Sequence, residues 1–171
     1  MIDIIIPALW FIFPAYLANS SAAFFKGKTP IDGGRKFSDK QPIFGMGKTV
    51  EGFSFAVVAG TFVSYAQSVA YPLINMPNLI EMNVALGFLL AFGAMFGDLC
   101  GSFIKRRMGM PRGAPAPLLD QLDFIFGAIL FSTFVAPLNA EMFMILIIIT
   151  PIIHLMTNIF GYFWKIKKEP W

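Results

Sequence analysis

The stretch VALGFLLAFGAMFGDLCGSFIKRR, residues 84–107, decides the fold of this chain. Between Val84 and Ile104 it carries one charged residue, Asp98, and it ends on three consecutive cations that begin at Lys105. At about 1.5 Å per helical residue the apolar part is roughly 30 Å long, which is the thickness of bilayer hydrocarbon. Asp98 then lies roughly 10 Å deeper than Lys105, where a charged side chain costs about 2.5 to 3.5 kcal/mol. Because of that cost, we expect Asp98 to have a partner or a function.

The rest of the chain also has the composition of a membrane protein. Its 171 residues are 57% hydrophobic and 13% charged, whereas soluble domains are usually about 25% charged. Charge-free segments predict five membrane-spanning helices within a single all-α transmembrane domain over residues 1–171. The predicted spans are residues 4–24, 52–73, 84–104, 124–138 and 142–164.

The basic residues predict the orientation of the chain. All thirteen Lys and Arg residues fall in the first loop, the third loop or the tail. Alternating spans place these segments on one face, and the positive-inside rule makes that face cytoplasmic. Five crossings then give a multi-pass protein of the cell membrane with its N-terminus outside and its C-terminus inside. The net charge of +3, concentrated on one face, indicates the lipid bilayer as a partner and no nucleic acid.

Two cytoplasmic loops are long enough to fold over the helices. Residues 25–51 are dense in Gly, Lys, Asp and Pro, and residues 108–119 contain three prolines and two glycines. Proline and glycine at this density prevent a continuous helix. We therefore expect irregular backbone in both loops, which can fold over the end of the bundle.

The third predicted span presents a polar stripe. Asp98, Ser102 and Lys105 follow one another at four and then three residues, with Arg106 one step on. Residues at these intervals lie on one face of a helix. A salt bridge from Asp98 to Lys105 or Arg106 within the membrane is one explanation of this stripe.

A metal site is the other explanation. Asp120 and Asp123 lie three residues apart at the start of the fourth span, so both can lie on the same face of that helix. Three carboxylates ringed by cations suit a Mg²⁺ ion shared with a polyphosphate. Acidic residues in a first helical turn also cap the backbone. From the residues alone, caps, a salt bridge and a metal site remain open.

Other polar and small residues carry weaker signals. The run Gly47-Lys48-Thr49 in the first loop could hold an anion, but Pro42 stands where a soluble phosphate loop requires glycine. Gly93, Gly97 and Gly101 at four-residue spacing predict a closely packed neighbouring helix. His154 in the fifth span is expected to be a hydrogen-bond partner between helices. Alternatively, Asp98 and His154 form an ion or proton relay in a small transporter or channel subunit.

Several motifs together resemble a known enzyme family. Residues 97–106 and the later Asp120-Gln-Leu-Asp123 resemble the signature of phosphatidate cytidylyltransferases, in which Ser and Lys-Arg precede Asp-x-x-Asp. Residues 110–119 lack the Lys-Asp and His-Gly-Gly of the bacterial and eukaryotic members. This chain is short and has five predicted spans, and in this it is similar to the archaeal branch of the family, the CDP-archaeol synthases. Residues 14–20, 30–34, 47–49 and 168–171 also look like that branch.

The resemblance implies a reaction, an active site formed by the two cytoplasmic loops, and a set of site residues. Members join CTP to the isoprenoid ether lipid 2,3-di-O-geranylgeranylglycerol 1-phosphate and release diphosphate, with Mg²⁺ as cofactor. The lipid tails are expected to stay in the bilayer through a lateral opening between helices. Asp98, Asp120 and Asp123 are expected to hold the metal and, with Lys105, to be catalytic. The expected substrate contacts are Lys48, Lys105 and Arg106 for the triphosphate, Ser102 and Thr49 as hydrogen-bond donors, and Asn19, Asp32, Gly33 and Gly34 in the nucleotide pocket.

Overall fold

The computed structural model describes residues 2–25, 27–74, 76 and 78–165, and it consists of helices joined by loops. The helices are α1 (Ile2–Phe24), α2 (Val50–Ala70), a 3₁₀ turn (Tyr71–Leu73), α3 (Val84–Arg107), α4 (Leu119–Ser132) and α5 (Ala140–Phe163). Within the described ranges, strand-like pairing is limited to two isolated bridges in the first loop. The all-α prediction is confirmed. The family match at residues 168–171 and the cations Lys26, Lys167 and Lys168 lie outside the described residues.

Four of the helices are long and apolar enough to cross a membrane, namely α1, α2 with its 3₁₀ turn, α3 and α5. The fourth helix, α4, has 14 residues and is therefore roughly 21 Å long. It begins and ends earlier than the predicted span of residues 124–138. Pro137 disfavours helix at the residue before it, and Asn139 already caps the next helix. The fourth charge-free segment is therefore part helix and part turn.

Side-chain caps fix where three of the helices begin. The side chains of Thr49, Asn83 and Asn139 accept hydrogen bonds from backbone N–H groups in the first turns of α2, α3 and α5, at 3.2, 2.9 and 2.8 Å. Such caps contribute about 1 kcal/mol each. Thr49 thereby anchors the end of the first loop to the start of α2.

Glycines bring α3 and α4 into close contact. A Cβ atom added at Gly97 would overlap the backbone carbonyl of Asp123, and one added at Gly93 would overlap the carbonyl of Gly127. At Gly101 an added Cβ would overlap the Asp123 side chain itself. The predicted neighbour of the glycine stripe is therefore α4. This contact sets the position of Asp123 relative to α3.

Two buried apolar clusters hold the helices together. The larger cluster joins α1, α3, α4 and α5, and its biggest fully buried side chains are Phe11 and Phe124. The smaller cluster seals the junction of α1, α2 and α3. Its members are Ala18, Ala56, Val57, Ala91 and Met95. Because both clusters include α1 and α3, these two helices form the centre of the bundle.

The first loop is fastened to the end of α3 by Arg107. The guanidinium of Arg107 forms an ion pair with Asp39 at 2.7 Å and donates a hydrogen bond to the carbonyl of Pro42 at 2.5 Å. It also lies over the rings of Phe37 and Phe103, at 5.1 and 4.7 Å from their centroids. The loop therefore folds over the bundle at the end where the cations of α3 lie.

Candidate active site

A polar pocket of about 320 Å³ lies where the first loop meets the helices. It includes six of the predicted site residues, which are Asn19, Lys48, Thr49, Asp98, Lys105 and Asp120. The remaining lining residues are Ala22, Ile31, Gly47, Gly52, Phe53, Met95, Leu99, His154 and Asn158. The tertiary structure thus brings α1, α2, α3, α4, α5 and the first loop to one cavity.

Asp98 is paired with Lys48 of the first loop. The Nζ atom of Lys48 forms an ion pair with Oδ2 of Asp98, and the two side chains are only 28% and 19% exposed. A nearby opposite charge offsets the cost of removing a carboxylate from water. The partner is therefore neither Lys105 nor Arg106, the two partners that the sequence suggested. It is a loop residue fifty positions away along the chain.

Lys105 is paired with the first aspartate of α4. Its Nζ atom lies 2.5 Å from Oδ1 of Asp120, and the other carboxylate oxygen accepts a hydrogen bond from the N–H of Ala116 at 2.9 Å. Asp120 therefore holds the segment before α4 and the cationic end of α3 together. The pocket consequently has two lysine–aspartate pairs in its wall.

Asp123 lies beside these pairs but does not line the pocket. One carboxylate oxygen accepts a hydrogen bond from the N–H of Phe124 at 2.6 Å, and the other faces Gly101. The charges of Asp98, Lys48 and Asp120 all act on this carboxylate. In the part of the chain that the structure describes, no three His, Cys, Asp or Glu side chains converge to ligate one metal ion. Two carboxylates, Asp98 and Asp120, face the cavity directly.

The backbone around Lys48 is held in an extended conformation against the start of the loop. The N–H of Ile31 donates to the carbonyl of Lys48 at 2.8 Å, and Pro30 forms an isolated bridge with Thr49. The adjoining Gly47 is covered by Arg112 of the third loop, whose Nε would lie 2.9 Å from an added Cβ. Arg112 is a site neighbour that sequence reasoning missed, because nothing along the chain connects it to Gly47.

Asp32 organises the first loop away from the pocket. Its carboxylate accepts hydrogen bonds from the backbone N–H groups of Gly34, Phe44 and Gly45, each at 2.9 Å. Burial acts to raise the pKa of Asp32, but these bonds outweigh it and lower the pKa from its ordinary value of 3.8. Gly33 and Gly34 adopt positive φ angles of 59° and 73°, which glycine accepts without strain. None of these three predicted nucleotide contacts lines the pocket.

Ser102 and Arg106 also lie outside the pocket lining. Ser102 is buried, with 5% of its surface exposed, and the Arg106 guanidinium donates a hydrogen bond to the carbonyl of Pro111 at 3.1 Å. Arg106 therefore joins the end of α3 to the start of the third loop, and Ser102 lies in the packed part of α3.

The polar stripe of α5 reaches the pocket. His154 and Asn158 line it, and the side-chain amide of Asn158 lies 3.2 Å from Nδ1 of His154. One turn earlier, Thr150 forms a hydrogen bond with the hydroxyl of Tyr16 on α1 at 2.8 Å. Thr150, His154 and Asn158 follow one another at four-residue intervals, so they lie on one face of α5. Only the tertiary structure places His154 and Asn158 in the same pocket as Asp98.

Comparisons with known proteins agree over nearly the whole chain. The family model described as CarS-like, CDP-archaeol synthase, matches residues 1–171. A CDP-archaeol synthase of Methanocaldococcus jannaschii is 44% identical over 170 residues, which is 96% of each chain. One of Pyrococcus abyssi is 43% identical over 98% of each chain. A solved structure of an intramembrane enzyme for archaeal membrane lipid biosynthesis is similar, with a TM-score of 0.78 and 34% identity. The match covers 89% of this chain and 92% of that one.

Proposed function

Because the chain belongs to the CDP-archaeol synthase family, we propose that its polar pocket is where CTP meets an ether lipid phosphate. The chain is a membrane-embedded, multi-pass enzyme that makes CDP-archaeol in archaeal lipid biosynthesis. The relatives give no support to the alternative of a transporter or channel subunit. The observation that carries the proposal is the pair of lysine–aspartate contacts, Lys48 with Asp98 and Lys105 with Asp120, in the wall of one cavity.

The reaction needs charge neutralisation more than proton transfer. A phosphate monoester has a second pKa of about 6, so the lipid phosphate is mostly a dianion at neutral pH. One of its oxygens attacks the α-phosphorus of CTP, the bond to the β-phosphate oxygen breaks, and diphosphate leaves. Two anions must approach each other in this step. Lys48 and Lys105 supply positive charge on the pocket wall, and they can exchange their carboxylate partners for phosphate oxygens.

The residues of the pocket fit a magnesium ion. Mg²⁺ is usually held by one or two carboxylates together with substrate phosphates and water, and Asp98 and Asp120 both face the cavity. Asp123, whose carboxylate lies against Gly101 of α3, would be the third member of this acidic group. When bound, the ion would neutralise phosphate charge and orient the reacting groups. Binding of CTP would draw the two lysines toward phosphate and leave these carboxylates available to the ion.

The other predicted residues divide into two roles in this proposal. Thr49 and Asn19 line the pocket and would donate hydrogen bonds to the nucleotide. Asp32, Gly33 and Gly34 would act through the loop that carries Lys48, because their contacts lie within that loop. Ser102 and Arg106 would likewise act by holding the end of α3 rather than by touching substrate.

The test is an assay of diphosphate release. Purified protein in detergent receives CTP, Mg²⁺ and 2,3-di-O-geranylgeranylglycerol 1-phosphate, and we expect release only when all three are present. Asp98→Asn and Asp120→Asn should each reduce the rate more than about tenfold, which is about 1.4 kcal/mol of transition-state stabilisation. They should also weaken Mn²⁺ binding in the presence of CTP, measured by electron paramagnetic resonance. The matched control is Asp3→Asn, an exposed acid at the start of α1.

Two results would contradict parts of the proposal. Absence of CTP-dependent diphosphate release by the wild-type protein would contradict the function itself. Retention of more than about a tenth of the rate by Asp98→Asn, with unchanged Mn²⁺ binding, would remove Asp98 from the metal site.

A further inference from the structure

A second pocket, of about 220 Å³, lies between α1 and α5 and adjoins the polar pocket. Asn19 and His154 line both cavities, so the two cavities adjoin at these residues. We call the second pocket the α1–α5 groove. Its lining residues are Phe13, Tyr16, Leu17, Asn19, Ser20, Phe124, Ile153, His154 and Thr157.

The groove has the shape and chemistry of a site for a hydrocarbon chain. Phe13, Tyr16, Leu17 and Ser20 lie at intervals of three, one and three residues on α1, so they form one stripe of that helix. From Phe13 to Ser20 the stripe runs roughly 10 Å along the helix axis. Its deeper part is aromatic and aliphatic, and its polar residues lie at the end that joins the polar pocket.

The groove also faces the region where lipid would lie. Phe13 is 47% exposed, and Ser20 and Thr157 are exposed as well. Both α1 and α5 are long and apolar enough to cross a membrane. An apolar groove between two such helices opens sideways, toward lipid tails rather than toward water.

Two of the neighbouring junctions between helices are closed. The glycine stripe of α3 brings its backbone against α4 and leaves no room even for a Cβ atom. The junction of α1, α2 and α3 is filled by the smaller apolar cluster, whose members include Ala18, Ala56 and Met95. These two junctions leave no room for a hydrocarbon chain, whereas the α1–α5 junction contains a cavity.

We propose that the α1–α5 groove holds an isoprenoid chain of the lipid substrate, and that this substrate reaches the polar pocket sideways between α1 and α5. The inference rests on the proposed function, since it requires the lipid phosphate to bind in the polar pocket. A phosphate beside Asn19 and His154 would direct its glycerol and tails along the stripe of α1. The isoprenoid chain then stays in contact with hydrocarbon throughout the reaction, which avoids the free-energy cost of exposing it to water.

The test compares two leucine-to-tryptophan variants. Leu17→Trp fills the groove, whereas Leu155→Trp adds the same bulk to α5 at a 49% exposed position on the face opposite Thr157. Each variant is assayed with the geranylgeranyl substrate and with an analogue whose tails are only a few carbons long. CTP binding, measured by isothermal titration, reports whether the polar pocket is intact.

We expect Leu17→Trp to raise the KM for the long-tailed substrate at least about tenfold, while CTP binding and turnover of the short-tailed analogue stay within about twofold. Leu155→Trp should match the wild type in all three measurements. Thr157→Trp, on the other wall of the groove, provides a second variant that decides the question if Leu17→Trp loses CTP binding.

The outcomes separate a failure of the groove inference from a failure of the proposed function. If the wild type turns over the lipid but both groove variants keep its KM for the long-tailed substrate, the groove does not hold the chain and this inference is overturned. If both substrates are affected equally in the groove variants, the groove acts on the head group and not on the tails, which also overturns it. If the wild type releases no diphosphate at all, the proposed function fails, and the inference fails with it.

Discussion

Among single residues, Lys48 has the greatest effect on the candidate site. It lies in an irregular loop, yet its ammonium group forms an ion pair with Asp98 of α3 inside the polar pocket. Without a positive partner, a partly buried carboxylate loses the interaction that offsets its desolvation. Lys48 therefore stabilises the charged form of Asp98. In the proposed function it would also provide positive charge for the phosphates of CTP.

Lys48→Ala should weaken CTP binding by at least about tenfold in Kd, or about 1.4 kcal/mol. The physical reason is the loss of a charge-assisted contact to the triphosphate. Isothermal titration of CTP into the detergent-solubilised protein measures this effect. Lys28→Ala, a change at an exposed lysine of the same loop that does not line the pocket, is the control and should bind CTP as the wild type does. An unchanged isotherm for Lys48→Ala would remove Lys48 from the nucleotide site.

Among elements, the α3–α4 pair and the first loop determine the geometry of the site. The glycine stripe of α3 allows α4 to approach so closely that Asp123 lies against Gly101. The first loop is held by Asp32 at its centre and by Arg107 at the end of α3. Small changes in either element are therefore expected to move the residues that line the polar pocket.

Gly97→Ala should destabilise the bundle, because its Cβ would overlap the backbone carbonyl of Asp123, which cannot move without shifting α4. Overpacking of this kind costs about 1 to 3 kcal/mol. A thermal denaturation in detergent should show a Tm several degrees below the wild-type value. Cys100→Ala, at an exposed position of the same helix, should leave Tm unchanged. An equal Tm for Gly97→Ala would mean that α3 and α4 are not in close contact.

The contribution of Asp32 to stability should depend on pH. Because its folded-state pKa lies below the ordinary value of 3.8, its hydrogen bonds stabilise the loop above about pH 3.8, and this contribution is lost as pH falls through the lower, folded-state pKa. Asp32→Asn should therefore lower Tm at neutral pH, by an amount that corresponds to a loss of about 1 kcal/mol or more in the free energy of unfolding.

Thermal denaturation of the wild type and Asp32→Asn from about pH 7 down to about pH 3 measures this dependence. The difference in Tm should be constant near neutral pH and shrink as the carboxylate becomes protonated. A difference that stays the same across the whole range would show that the charge of Asp32 contributes nothing to the loop.

At the scale of the whole molecule, the one-sided distribution of basic residues and the polar pocket are found at the same end of the bundle. The first loop and the cationic end of α3 meet there, as the ion pair of Arg107 with Asp39 demonstrates. We propose that this end faces the cytoplasm, with the N-terminus outside, since basic segments are retained on the cytoplasmic side. CTP would then reach the polar pocket from the cytoplasm and the lipid from the membrane.

Cysteine labelling tests this orientation. In a Cys100→Ser background, Lys36→Cys in the first loop should react with a membrane-impermeant maleimide only in inside-out vesicles. Glu81→Cys, in the loop between α2 and α3, should react only in right-side-out vesicles. Both positions are exposed, so the reagent can reach them. The reverse pattern would invert the proposed orientation.

The sequence by itself determined the class of the fold, and it identified six of the residues that line the polar pocket. Apolar runs long enough to cross hydrocarbon predicted the helices, because a spanning backbone must satisfy its hydrogen bonds internally. The cost of a carboxylate in lipid predicted that Asp98 needs a partner, and the glycine spacing on α3 predicted a close neighbour. These properties depend on periodicity and local composition, which can be read along the chain.

The tertiary structure decided which residues meet. It pairs Asp98 with Lys48 rather than with Lys105, and it places Asn19, His154 and Asn158 in the same cavity. It also separates Asp32 from that cavity, although Asp32 and Lys48 belong to one loop. The physical reason is that long-range pairs depend on the path of irregular loops and on the packing of helices far apart in sequence, and neither has a local periodic pattern.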